Sequence, residues 1–225
     1  MSEQAKRGFY IVGEGNDGTG KSTQVDLLAK HLEKEFGVET YVMHEPDGCP
    51  IASEIRTIIK NGSLERDPVT NLLLFTASRH ETWFREAVPV LGRGGIVLSA
   101  RNYLSSEVYQ GIAEGLGAEY VHGVTRAFMD ERYMTPDLTV IFELEDAVRN
   151  KRISARGELA NPDTFESRDD DFQTNVNNGY TSLARERGYV TIDASRSIET
   201  IQRHFRKVAI AAIVSQALNG TSASR

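Results

Sequence analysis

The chain has 225 residues, of which 40% are hydrophobic and 26% charged, and its formal net charge is −6. That is enough apolar surface for one ordinary core, and the acidic balance argues against general nucleic-acid binding. The single cysteine, Cys49, excludes an internal disulfide and a multi-cysteine zinc site and suits a reducing compartment, so a cytoplasmic location is expected.

Residues 1–7 are polar, carry no signal-peptide pattern and read as a flexible tail. Five short apolar runs then read as buried strands: Phe9–Val12, Thr40–Met43, Gly95–Ser99, Leu138–Phe142 and Tyr189–Ile192. Helical periodicity fills the intervals, at Lys21–Phe36, Ile51–Lys60, Pro68–Leu91, Leu104–Gly115, Tyr120–Met134, Glu145–Arg156, Asp169–Glu186 and Ile198–Leu218. Strands alternating with helices predict an α/β fold, a three-layer sandwich around a five-stranded parallel sheet. The apolar run Val208–Val214 is too short to cross a bilayer, so no membrane association is expected. Gly157–Asp171 is polar and contains Pro162, so it reads as an exposed, mobile segment within one domain over 1–225. Residues 219–225 read as a second flexible tail.

Between the first strand and first helix lies Gly15-Asn16-Asp17-Gly18-Thr19-Gly20-Lys21-Ser22, a complete G-x-x-x-x-G-K-S phosphate loop of the P-loop NTPase type. Its glycines let backbone N–H groups close around phosphate oxygens at a helix N-terminus. Gly15 through Thr23 therefore form the candidate nucleotide cradle, with Lys21 reaching the β/γ-phosphates and Ser22 ligating Mg²⁺. The expected donor is ATP.

Extended to Gly13–Gln24, the same segment resembles the opening of the thymidylate kinase family. Three further blocks follow in order: Leu72–Arg79, Arg101 with Ser105–Gly111, and Arg156–Leu159 with Phe165-Glu166 and Gly179-Tyr180. The resemblance spans about Gly8–Ala194 and implies transfer of the γ-phosphate of ATP to dTMP, giving dTDP, with Mg²⁺ and often as a homodimer. It implies that Phe75 and Arg79, one helical turn apart, stack on the base and donate to its carbonyl. Ser106, Tyr109 and Gln110 share a helix face; the tyrosine is expected near the sugar and the glutamine at the base edge. Arg101 follows directly on the third strand, where ligands gather in open α/β sheets, and is assigned to the acceptor phosphate. Asp17 is expected between the two phosphates, near the metal or the 3′-hydroxyl. Arg149, Arg152 and Arg156 share a helix face, and Arg152 or Arg156 is expected to close over the phosphates, from a lid near 149–171, as an arginine finger in cis.

Three departures from the family pattern bear on the acceptor, one of them Thr164, which stands where an arginine often precedes the Phe-Glu pair. The usual Asp-Arg pair is Ala100-Arg101, which removes a carboxylate from the metal shell and leaves Asp17, Glu14, Glu45 and Glu166 as candidates. The usual Arg-Glu-Pro is His44-Glu45-Pro46, which puts an imidazole where a guanidinium touches the acceptor phosphate. These changes keep two alternatives open: a related nucleotide kinase with a drifted acceptor, and a non-catalytic nucleotide-binding module.

Overall fold

The structure is a computed structural model that describes residues 7–155, 164–165 and 168–222, with 219–222 described as helical backbone. Its centre is β1 (Phe9–Glu14), every residue of which is buried. β1 pairs in parallel with β3 (Ile96–Ala100) on one side and β4 (Leu138–Glu143) on the other. β2 (Thr40–His44) and β5 (Val190–Asp193) complete a five-stranded parallel sheet of order β2-β3-β1-β4-β5. Alternate residues of β1 serve opposite faces, which explains why it reads as an unbroken apolar run. Phe9 and Ile11 meet Leu28 of α1 (Lys21–Phe36) and Phe205 of α10 (Ile198–Ser222). Tyr10 and Val12 face Trp83, Tyr133 and Val176 across the sheet. The three layers follow the sequence reading.

Local chemistry sets the helix ends. Gly37, at φ 61°, closes α1 by returning its N–H to Glu33. The side chain of Asp67 accepts from Val69 N at 2.8 Å to start α3 (Pro68–Thr82), and Asp169 does the same for Phe172 at the start of α9 (Asp170–Arg187). α2 (Pro50–Lys60) also begins on a proline.

Three expected helices are broken. Pro68–Leu91 is not one helix: α3 passes through a π-helical turn at Trp83–Ala87 into α4 (Val88–Gly92). Pro89 has no N–H to continue the ladder, and Val88 N instead reaches back to the Trp83 carbonyl. The expected Leu104–Gly115 helix is a short α5 (Tyr103–Ser106) followed by a π-helical segment, Glu107–Ala113. Tyr120–Met134 divides into α6 (Ala118–Phe128) and α7 (Glu131–Met134). The break occurs because the carboxylate of Asp130 caps Tyr133 N at 2.8 Å and also takes the Trp83 indole N–H at 3.0 Å. α8 (Asp146–Ala155) ends at the limit of the described residues. α10 continues through Ser222, so the expected C-terminal tail is helical over 219–222; at the other end Arg7 pairs with Asp137. Among the described residues no helix is long and apolar enough to cross a membrane.

Trp83, Tyr10 and Tyr133 form a buried aromatic triangle with ring centroids 4.8–6.1 Å apart. Trp83→Ala is expected to cost about 3–5 kcal/mol, because both a large buried ring and the Asp130 anchor are lost. Urea unfolding of the two proteins measures it, and a loss under 1 kcal/mol contradicts the packing described.

Candidate active site

The sheet changes winding direction at β1, so the carboxyl ends of β1, β3 and β4 open into a crevice. The Gly15–Ser22 loop fills that position. Gly15 is required there: it sits at φ 144°, and a Cβ would lie 2.5 Å from the Phe142 carbonyl. Asn16 shapes the turn from within, its Oδ1 accepting from Asp17 N at 2.7 Å and from Tyr109 Oη at 3.0 Å. Thr19 Oγ1 and Lys21 Nζ both donate to the Asn16 carbonyl, at 2.9 and 3.2 Å. Lys21 is buried, and burial together with Arg101 lowers its pKa to about 8, against the pull of Asp17 and Glu14.

Arg101 is the second cation at this point. It adopts a left-handed backbone, φ 79°, which is unfavourable for a non-glycine residue. Its backbone N–H holds the Gly13 carbonyl at 3.0 Å, while its guanidinium reaches Asp17 at 2.5 Å and Ser105 and Tyr180 at 2.9 and 3.0 Å. Burial opposes charge on Asp17, yet Arg101 and Lys21 hold its pKa well below the usual carboxylate range. Glu14, fully buried, accepts from Asn102 N at 2.8 Å, from Ser105 N and Oγ, and from Tyr180 Oη at 2.9 Å. Its carboxylate ties the end of β1 to the turn after β3.

Two cavities meet at the loop. The larger, about 530 Å³, runs from Asp17, Lys21 and Arg101 to a wall of Phe75, Tyr109 and Phe165. The smaller, about 320 Å³, lies between the loop and α8 and is lined by Gly18, Gly20, Thr23 and Arg152. Asp17, Lys21 and Ser22 line both. A loop lysine thus stands where the contents of two cavities touch. In the larger cavity the Phe75 and Phe165 rings are 5.7 Å apart, and Tyr109 meets Phe165 edge-on at 5.9 Å. Arg79 is buried beside them, held by Glu45 at 3.3 Å and by Ser106 Oγ at 2.9 Å.

The family model described as thymidylate kinase matches residues 14–205, which include this loop and the residues lining both cavities. The chain belongs to the thymidylate kinase family. A thymidylate kinase of Exiguobacterium sibiricum is 37% identical over 89% of this chain and 93% of its own length. That of Caldicellulosiruptor saccharolyticus is 34% identical over 90% and 96%. The crystal structure of the Ehrlichia chaffeensis thymidylate kinase superposes with a TM-score of 0.70 at 24% identity, covering 90% of this chain and 98% of that one, and supports the fold.

The residues expected to form the two sites come together in this thymidylate kinase family member, with three qualifications. Asp17 forms ion pairs with Arg101 and Lys21 instead of standing open as a metal ligand. Glu14 and Glu45 are fully engaged by protein donors, so neither is a free carboxylate. Arg156 and Glu166 lie outside the described residues. Of the remaining arginines on α8, Arg152 donates to the Gly18 carbonyl at 3.2 Å, and Arg149 is buried against Gly18 with Nε and Nη2 lacking partners. His44 pairs with Asp26 at 2.9 Å, and both line the larger cavity. Sequence reading passed over Arg56 and Lys60, which also line it. Their i, i+4 spacing on α2 was the available signal. Asp26 gave no comparable signal, since only the folded chain brings it to the cavity; Phe165 stood in a family block but was given no role at the base wall.

Glu45 accepts from Tyr133 Oη at 2.6 Å, and burial raises its pKa to about 7 against the opposing effect of Arg79. A carboxyl whose folded pKa is raised binds its proton more tightly in the native state. Its stabilising contribution is therefore full below about pH 4.5, the unfolded value, and is lost as pH rises toward 7. The stability difference between wild type and Glu45→Gln is expected to shift against wild type across that window, by at most about 1.4 kcal/mol per pH unit. Urea titrations at successive pH values report it; a flat difference refutes the assignment.

Proposed function

We propose that the protein transfers the γ-phosphate of ATP directly to dTMP, with ATP held by the phosphate loop and smaller cavity and dTMP in the larger one. The observation that carries this reading is the junction of the two cavities at Lys21. Bringing two bound anions into contact converts a bimolecular encounter into an aligned one, and the cations there neutralise charge on the transferring group. Lys21 and Arg101 supply that charge. Asp17 holds the two cations apart until phosphate oxygens displace it. Arg152 reaches the loop from α8 and is our reading for the arginine supplied in cis, within a lid spanning 149–171 of the single domain.

The donor set fits Mg²⁺ in the manner usual for nucleotide kinases. Among the described residues no three His, Cys, Asp or Glu side chains cluster as a metal site, while Ser22 is exposed at the N-terminus of α1 on both cavities. Such a cation is held mainly by substrate phosphates and water, and in phosphate-loop enzymes the loop serine, here Ser22, would be one of its protein ligands. When bound, it would add charge neutralisation between the phosphates. The chain's own residues position the anions and exclude water.

At the acceptor end, Arg56, Lys60 and His44 compensate for the missing family arginine by lining the cavity beyond Arg101. The base wall of Phe75, Phe165 and Tyr109 takes a flat ring. Family membership and the intact loop leave neither a drifted acceptor nor a non-catalytic module favoured. We read the homodimer through α3, the π-helical turn that follows it and α6, where Leu73, Phe84 and Phe128 are exposed and His80 joins them through ring contact with Phe84 and a 2.9 Å bond to the Phe128 carbonyl. The cysteine usage supports a cytoplasmic location.

Incubation with ATP, Mg²⁺ and each of dTMP, dUMP, dCMP, dAMP and dGMP, followed by separation of products, tests the acceptor; dTDP must dominate. Lys21→Ala is expected to lower kcat for dTMP by at least about 100-fold, and near-normal turnover defeats the mechanism. Arg56→Ala is expected to raise KM for dTMP about tenfold with a smaller change in kcat. An unchanged KM removes Arg56 from the acceptor site.

A further inference from the structure

The wall of the larger cavity contains two buried polar atoms without a hydrogen-bond partner: Arg79 Nη1, a donor, and Gln110 Oε1, an acceptor. Buried polar groups in native proteins are rarely left so, and a pair of opposite polarity in one wall describes a ligand edge. Which atom of the Gln110 amide is left over is fixed by its neighbour. Gln110 Nε2 donates to Glu114 Oε2 at 3.1 Å. An ionised carboxylate only accepts, so the amide nitrogen must face Glu114, and the oxygen remains.

Glu114 is itself set from behind. Its side chain is 6% exposed, with Arg168 Nη1 3.7 Å and Asn71 Nδ2 3.5 Å from its Oε1. The Asn71 amide is oriented by the same rule: its Oδ1 accepts from Arg66 Nε at 2.9 Å, and a guanidinium only donates. Donor–acceptor polarity therefore passes from Arg66 through Asn71 and Glu114 to Gln110. Arg79 is fixed independently by Glu45 and Ser106, which leaves Nη1.

From this arrangement we infer that Glu114 is a positioning residue for base specificity, which makes the cavity accept a 4-oxopyrimidine and reject a 4-aminopyrimidine by holding the Gln110 amide in one orientation. The 4-oxo edge offers a carbonyl to Arg79 Nη1 and a ring N–H to Gln110 Oε1. The 4-amino edge sets donor against donor and acceptor against acceptor. Mispaired polar groups in a buried site are penalised far more than a missing methyl group. The inference rests on the acceptor assignment proposed above and deepens it.

The test is Glu114→Gln in the full-length protein. The substituted amide keeps the shape but can donate as well as accept, so Gln110 is free to turn. Values of kcat/KM are measured for dTMP, dUMP and dCMP. For dTMP and dUMP, which share the 4-oxo edge, kcat/KM is expected to fall together by about tenfold, chiefly through KM. Activity on dCMP is expected to hold or rise, so the oxo-to-amino preference narrows by at least about tenfold. A uniform fall for all three, or an unchanged ratio, overturns the role of Glu114. Where Glu114→Gln lacks a cooperative thermal transition, Glu114→Ala carries the same expectation, since it also releases the amide. Wild-type protein that shows no preference for dTMP over dCMP overturns the acceptor assignment and this inference together. Wild-type preference retained in the variant overturns the inference alone.

Discussion

Two cations, Lys21 and Arg101, are held close together in a largely buried site, and the surrounding structure exists to make that tolerable. Like charges at such a point cost several kcal/mol unless carboxylates stand between them. Asp17 does so, 2.5 Å from one and 3.5 Å from the other. Glu14 adds a second negative charge at 4.0 Å from Arg101 and is itself saturated by donors from the turn after β3. The lowered pKa of Lys21 and the depressed pKa of Asp17 are two sides of this one arrangement. Phosphate oxygens entering from either cavity would relieve it, which is why an anion-binding reading follows from electrostatics before any family is considered.

The sheet makes the arrangement possible. Because β1 runs between β3 and β4, its carboxyl end delivers Glu14 and the loop to the same depth as Ala100 and Arg101. Register aligns Gly13 with Ala100, and Ala100 with His44, so three strand ends form one floor. Ala100 lines the larger cavity, while a Cβ at Gly13 would meet Val25 and Phe142 at 3.0 and 3.1 Å, so the glycine lets the end of β1 pack closely. The left-handed backbone at Arg101 turns the chain out of β3, and its cost is offset by the six oxygen atoms in the protein that its guanidinium and N–H engage.

Much of this was legible in the sequence because it depends on local pattern. The five strands appeared as apolar runs, and α1 was placed at its observed bounds by the loop before it and Gly37 after it. The phosphate loop is contiguous, so its residues needed no fold to be recognised. Helix interruptions were less visible. Pro89 gave a local warning at the first π-helical turn, whereas the break at Asp130 depends on Trp83, 47 residues away. The π-helical segment that carries Tyr109 and Gln110 shows no distinguishing composition. At the site, residues in motifs were found and those delivered by tertiary packing were missed. Arg56 of α2 and Asp26 of α1 come from separate helices and converge only across the folded cavity.

The departures at Ala100 and His44 look different once neighbours are known. In sequence they subtract a carboxylate and a guanidinium from one network. In the structure His44 is paired with Asp26, which stands one helical turn beyond Ser22 on α1. A carboxylate is thus still present in the wall of the cavity, delivered from a helix and not from β3. Cationic character is likewise still present, delivered by Arg56 and Lys60 of α2. The cavity thus draws these charges from the faces of α1 and α2. Charged side chains held on helices in this way form a preorganised polar site that needs little rearrangement when an anion enters.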